Sequence, residues 1–95
     1  MDLDFAGQVI EWRGPAPYYF VRLPDGVSAD VREVAALATY GWGVIPVAVS
    51  IDAVAFETSL FPKDGGYLLP LKGAVRKAIG VGLGDEVSVA MTVRL

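Results

Sequence analysis

Four side chains have the types and spacing to hold a ligand: Trp42, Tyr67, Lys72 and Arg76. Lys72 and Arg76 stand four apart, which places them on one face of a helix, with Lys77 about 100° further round. Lys63 in the preceding loop adds another cation. Residues 63–77 hold four basic groups against one acidic, so this stretch is +3 while the rest of the chain carries −6. A basic patch on an acidic body attracts a phosphate, a carboxylate or an acidic protein. The plainer alternative is a solvated helix face, with Arg76 and Lys77 set favourably against the negative end of the helix dipole. Trp42 lies between glycines in Tyr40-Gly41-Trp42-Gly43, with room either to line a cleft or to pack as a lid over the end of the fold. Tyr67 and Trp42 each offer a flat apolar body with a polar tip. An aromatic-lined pocket beside a basic helix suits a planar or anionic small molecule.

Several other chemistries are disfavoured by composition. The chain has neither cysteine nor histidine, so it lacks the thiolate nucleophile, the commonest transition-metal ligands and the usual acid–base group at neutral pH. Asp2/Asp4 and Asp85/Glu86 are local carboxylate pairs, and nothing sets a second carboxylate across a cleft from either. Thr58 and Ser59 have no histidine base to activate them. A lysine or tyrosine with a shifted pKa is the remaining route to catalysis, but the sequence points to none. Gly80-Val81-Gly82-Leu83-Gly84 follows a helix rather than opening one, so it reads as turn chemistry and not as a phosphate loop. No catalytic residue, metal ligand or cofactor is therefore assigned. A net charge of −3 counts against nucleic acid as a partner. No apolar run reaches the roughly 20 residues that span a bilayer, and Met1-Asp2-Leu3-Asp4 does not open a signal peptide. A cytoplasmic protein, monomeric or a weak homodimer, is expected.

The elements that must position these residues can be read from periodicity. The 95 residues make one domain, 1–95. Residues 3–12 alternate as a strand, with Leu3, Phe5, Val9 and Glu11 on one side, Ile10 and Trp12 on the other, and a bulge near Gly7. Arg13-Gly14-Pro15-Ala16-Pro17 is a turn, and Tyr18–Leu23 is a strand pairing back on the first. Ser28 is placed to cap a helix over residues 29–40, with Gly41 as its stop. Residues 44–51 form a strand with Pro46 at an edge or at its start, residues 53–58 form its partner, and residues 59–66 form a loop. From Gly66 runs a short apolar strand that stops at Pro70. Pro70 then presets a short helix that stops at Gly80. In the last strand Val87, Val89, Met91 and Val93 point inward, and Glu86, Ser88, Thr92 and Arg94 outward. The order β-β-α-β-β-β-α-β is mainly β with two short helices, an α+β chain that suits a small six-stranded barrel, since closure removes exposed edges.

Trp42-Gly43-Val44-Ile45-Pro46-Val47, Thr58-Ser59-Leu60-Phe61-Pro62, Gly66-Tyr67-Leu68-Leu69-Pro70-Leu71-Lys72, Val75-Arg76-Lys77 and Gly84-Asp85-Glu86-Val87-Ser88-Val89 occur in this order. In that succession the chain resembles the bacterial DUF 1905 family, a domain of unknown function. The resemblance runs nearly end to end. It implies a double-split β-barrel, found alone or fused to a domain associated with bacteriocin protection, with no established activity or site. Over the last third alone, Leu69-Pro70, Arg76, Ala78-Ile79-Gly80-Val81 and Gly84-Asp85-Glu86-Val87 are similar to the swapped-hairpin transcription regulators of the AbrB type. The acidic total and the single hairpin depart from those regulators.

The leading expectation is a noncatalytic module that binds a small anionic or aromatic ligand, or a protein partner, through Trp42, Tyr67, Lys72 and Arg76. The alternatives are a DNA-binding regulator working through the Lys72–Lys77 helix, and an enzyme using lysine or tyrosine.

Overall fold

The computed structural model describes residues 1–12, 18–37 and 44–94. Among them the elements run β1 (Asp2–Trp12), β2 (Tyr18–Arg22), α1 (Asp25–Leu37), β3 (Ile45–Ile51), β4 (Val54–Lys63), β5 (Gly66–Pro70), α2 (Gly73–Ile79) and β6 (Glu86–Val93). The strands close an antiparallel barrel in the order β1-β2-β5-β4-β3-β6. The expected architecture, mainly β with two short helices and six strands, is the one formed. No described helix is long and apolar enough to cross a membrane.

The barrel interior follows from strict alternation. In β6 Val87, Val89, Met91 and Val93 are buried and the residues between them are exposed. In β3 Ile45, Val47, Val49 and Ile51 are buried, and in β1 Phe5 and Val9. Successive strand side chains point to opposite faces, so one set fills the barrel. Val21, Leu60, Leu69 and Leu71 complete the core, and α1 adds Val31 and Val34.

β1 and β4 are the two long strands, and each changes partner part-way along. β1 pairs with β6 over Asp2–Gln8 and then with β2 over Val9–Trp12. β4 pairs with β3 over Val54–Leu60 and then with β5 over Phe61–Lys63. Gly7 sits just before the first change. A Cβ there would lie 2.6 Å from Val21 Cγ1 and 3.2 Å from the Arg22 carbonyl oxygen, so β2 crosses where only glycine leaves room. The bulge expected near Gly7 is not formed: Ala6↔Ser88, Gly7↔Val87 and Gln8↔Glu86 pair one to one.

Three boundaries differ from the sequence expectation. α1 begins at Asp25, not after Ser28. The Ser28 N–H donates to the Pro24 carbonyl at 2.9 Å, so Ser28 lies inside the first turn, and its buried hydroxyl accepts from the Tyr67 N–H at 3.3 Å. β4 continues through residues 59–63, which were expected to be a loop. Its Pro62 sits between the rungs Phe61↔Leu68 and Lys63↔Gly66. Main-chain groups of alternate strand residues face opposite neighbours, so the missing N–H of Pro62 faces the side where β3 has already ended at Ile45. Pro70 ends β5, as expected, but does not open α2. Lys72 takes the N-cap position, and Gly80 ends the helix in the left-handed conformation, as expected. The expected stop at Gly41 lies outside the described residues.

Tight turns fix the β3–β4 and β4–β5 hairpins. Asp52 and Ala53 have φ of 48° and 65°, and Asp64 and Gly65 have φ of 50° and 78°. Two central residues with positive φ match the right-handed twist of the flanking strands.

Candidate ligand-binding groove

Where β4 passes from β3 to β5, the two neighbouring strands part and a groove of about 990 Å³ lies against the barrel. Pro46, Glu57, Thr58 and Ser59 form its β3–β4 wall, and Pro70, Leu71, Lys72, Gly73 and Arg76 its β5–α2 wall. Trp12, Tyr18, Tyr19, Phe20 and Phe61 supply the aromatic part of the lining.

The aromatic side chains reach the groove through strand pairing. Trp12 and Tyr18 face each other on the last rung of the β1–β2 ladder, and Phe20 follows Tyr18 on the same face. The Trp12 and Phe20 rings lie 6.1 Å apart and tilted by 52°, so Trp12 rests on a buried partner while staying 51% exposed. Tyr18 and Phe61 are also large, exposed rings, at 61% and 46%. Singly exposed apolar residues need no explanation, but several on one groove mark a contact surface.

The cations are held in two ways. The Arg76 guanidinium stacks on Tyr19, its central carbon 3.8 Å from the ring centroid, and its Nε donates to the Leu71 carbonyl at 3.2 Å. The ring contact and the Nε bond together hold the guanidinium in place, and the two Nη groups remain as a fork. Lys72 is exposed one helical turn before it. Lys63 places Nζ 3.9 Å from the Trp12 ring centroid. Among the described residues no carboxylate pairs with Lys63, Lys72 or Arg76. The Glu57 carboxylate on the opposite wall is instead taken by Arg94 at 3.2 Å. Arg22 and Arg32 serve the architecture: Arg22 donates to the Lys63 and Asp64 carbonyls at 3.5 and 3.4 Å, and Arg32 donates to the Gly65 carbonyl.

A family model described as "Domain of unknown function" matches residues 5–91, from the first strand into the last. The chain belongs to the DUF1905 family. No curated protein matches the sequence. The DUF1905 match takes in both changes of strand partner and every groove-lining residue named above except Arg94.

Of the residues singled out in the sequence of this DUF1905 domain, Lys72 and Arg76 come together on the groove. Tyr67 does not join them. It is buried in the barrel core, its N–H bound to Ser28 and its carbonyl accepting from the Leu23 N–H at 3.1 Å. Trp42 lies outside the described residues. Trp12, Tyr18, Tyr19 and Phe61 were not singled out from the sequence as a group. The signal for the first was present: Ile10 and Trp12 fall on the side of β1 opposite Phe5 and Val9. Which strand would lie beside that face was not.

Proposed function

We propose that this DUF1905 barrel is a noncatalytic binding module whose groove takes an anionic ligand. The observation that carries this reading is Arg76. Its side chain is held on Tyr19 and on the Leu71 carbonyl with no acidic partner among the described residues, and its fork borders a groove of ligand size. A solvated arginine kept for solubility has no need of two fixing contacts. A pre-oriented one loses less side-chain entropy when an anion arrives. The groove walls add neutral hydroxyls from Thr58 and Ser59 and the rings of Trp12 and Tyr18, which suit orientation and contact more than bond-breaking chemistry.

Backbone amide shifts, followed by NMR during titration with a panel of organic carboxylates, phosphate esters, acidic peptides and duplex DNA, test the reading. Binding should move Tyr19, Lys72, Gly73 and Arg76 together, and Arg76→Ala should remove the effect while leaving the spectrum folded. If no member of the panel moves those amides, the groove is not an anion site.

A further inference from the structure

We propose that the ligand is a planar aromatic carboxylate, its carboxylate gripped by the Nη fork of Arg76 with Lys72 alongside, and its ring set against Tyr18 and the part of Trp12 that Lys63 and Phe20 leave exposed. This rests on the reading of the groove as an anion site and names the chemistry of its occupant.

The Arg76 fork suits a carboxylate, and the phosphate probe below separates the two anions. A guanidinium whose Nε is already engaged presents two parallel N–H groups from its Nη atoms, which match the two oxygens of a carboxylate. A phosphate is normally cradled by several free main-chain amides in addition to side chains. The glycine-rich turn after α2 offers no such cradle. There the Gly80 and Val81 N–H groups donate to the Arg76 carbonyl, that of Gly82 to Asp85 Oδ2 and that of Gly84 to the Val9 carbonyl. The N–H of Leu71, on the groove wall itself, donates to the Tyr19 carbonyl.

The aromatic part of the ligand follows from what lies beyond the fork. Trp12, Tyr18 and Phe61 are each close to half exposed or more, while Phe20 beneath Trp12 is buried and fixes its position. Rigid, pre-placed rings are efficient contacts for a flat apolar group, because little side-chain freedom is lost on binding. Charge supports the same orientation. Lys72, Arg76 and Arg94 outnumber Glu57 among the groove-lining residues, so the groove is cationic although the chain as a whole is acidic.

The experiment uses three probes of one shape: 2-naphthoate, its neutral amide 2-naphthamide, and 2-naphthyl phosphate, with a short Glu-rich peptide as a fourth. Affinity is measured by calorimetry, and the site is mapped by amide shifts. Naphthoate should bind at Tyr19, Arg76 and Trp12, about 10-fold or more tighter than naphthamide, the difference expected for one charge-assisted hydrogen-bonded pair. Arg76→Lys keeps the charge and loses the fork, and should weaken naphthoate by a similar factor. Trp12→Leu should weaken it several-fold and leave any binding of the peptide, which has no ring, unaffected. Equal binding of naphthoate and naphthamide, or full affinity in Arg76→Lys, overturns the carboxylate assignment. Binding of the phosphate or the peptide at the groove, without naphthoate, overturns the aromatic carboxylate but upholds an anion site. Silence from all four overturns both.

Discussion

β1 and β4 each exchange one neighbour for another, but the two exchanges are completed differently. Where β1 leaves β6, the turn before β6 folds back on it. The Val9 N–H donates to the Asp85 carbonyl at 2.8 Å, the Gly84 N–H donates to the Val9 carbonyl at 2.9 Å, and the Gln8 amide donates to the Gly84 carbonyl at 3.1 Å. On the other side of the same point, Gly7 lets β2 cross at contact distance. Where β4 leaves β3, side chains rather than main chain face the opening, and the result is a groove with a fixed cation and exposed rings. One split is closed by backbone and sterics, and the other is left for something else to occupy. Stability should therefore be concentrated at the β1 split and binding at the β4 split.

The sharpest way to break this contrast is Gly7→Ala. The added methyl meets a buried Val21 and a main-chain oxygen, and overpacking of this kind costs about 3 kcal/mol. Urea unfolding should show a large drop in midpoint, and an unchanged midpoint would mean that β2 is free to shift and the first split is not sterically locked. Next in size is Gly84→Ala. Gly84 has φ of 88° within the stitching turn, so a side chain there should cost about 1–2 kcal/mol. A lower melting temperature together with faster exchange of the Val9 amide reports it, and an unprotected Val9 amide in the wild type would count against the stitch. At the β4 split the effects on stability should be smaller. Arg76→Met removes the contact with Tyr19 and one partly buried hydrogen bond, for a loss of about 1 kcal/mol. The same variant should lose groove binding altogether. A fall in stability rivalling that of Gly7→Ala would make Arg76 a structural residue. Smallest of all is Glu57→Gln, which opens an ion pair whose side chains are 65% and 53% exposed and should change stability by no more than about 0.5 kcal/mol. It should tighten binding of an anion slightly by leaving Arg94 less neutralised. Weaker binding would instead place Glu57 in direct contact with the ligand.

The contrast also explains what could be read from sequence. Most of the closed split is visible in one dimension: the alternation of β6, the inward face of β1, the Gly80 stop and the turn at Gly84-Asp85 all follow from local rules. Gly7, by contrast, suggests a bulge and takes its role from β2 instead. Reading failed where a residue's role came from a distant partner. Ser28 has the look of a helix cap, but its hydroxyl serves Tyr67, far along the chain. Pro62 signals a loop, and is tolerated in a strand only because β3 ends beside it. Lys72 and Arg76 were legible as a pair from helical spacing. Their neighbours Trp12, Tyr18 and Phe61 come from three different strands, and only the barrel order brings those strands around one groove.

The seat of β6 between β1 and β3 has a consequence for how the chain is made. Asp2–Gln8 and Val47–Ser50 both wait for a strand that the ribosome delivers after all the others. Until Glu86–Val93 emerges, two edges with free main-chain donors and acceptors stand open, and the pairing that finally covers β1 joins residues some 80 to 90 positions apart. The barrel therefore closes only when its last strand becomes available. The nascent chain is most exposed to wrong partners in the interval between synthesis of β5 and arrival of the last strand.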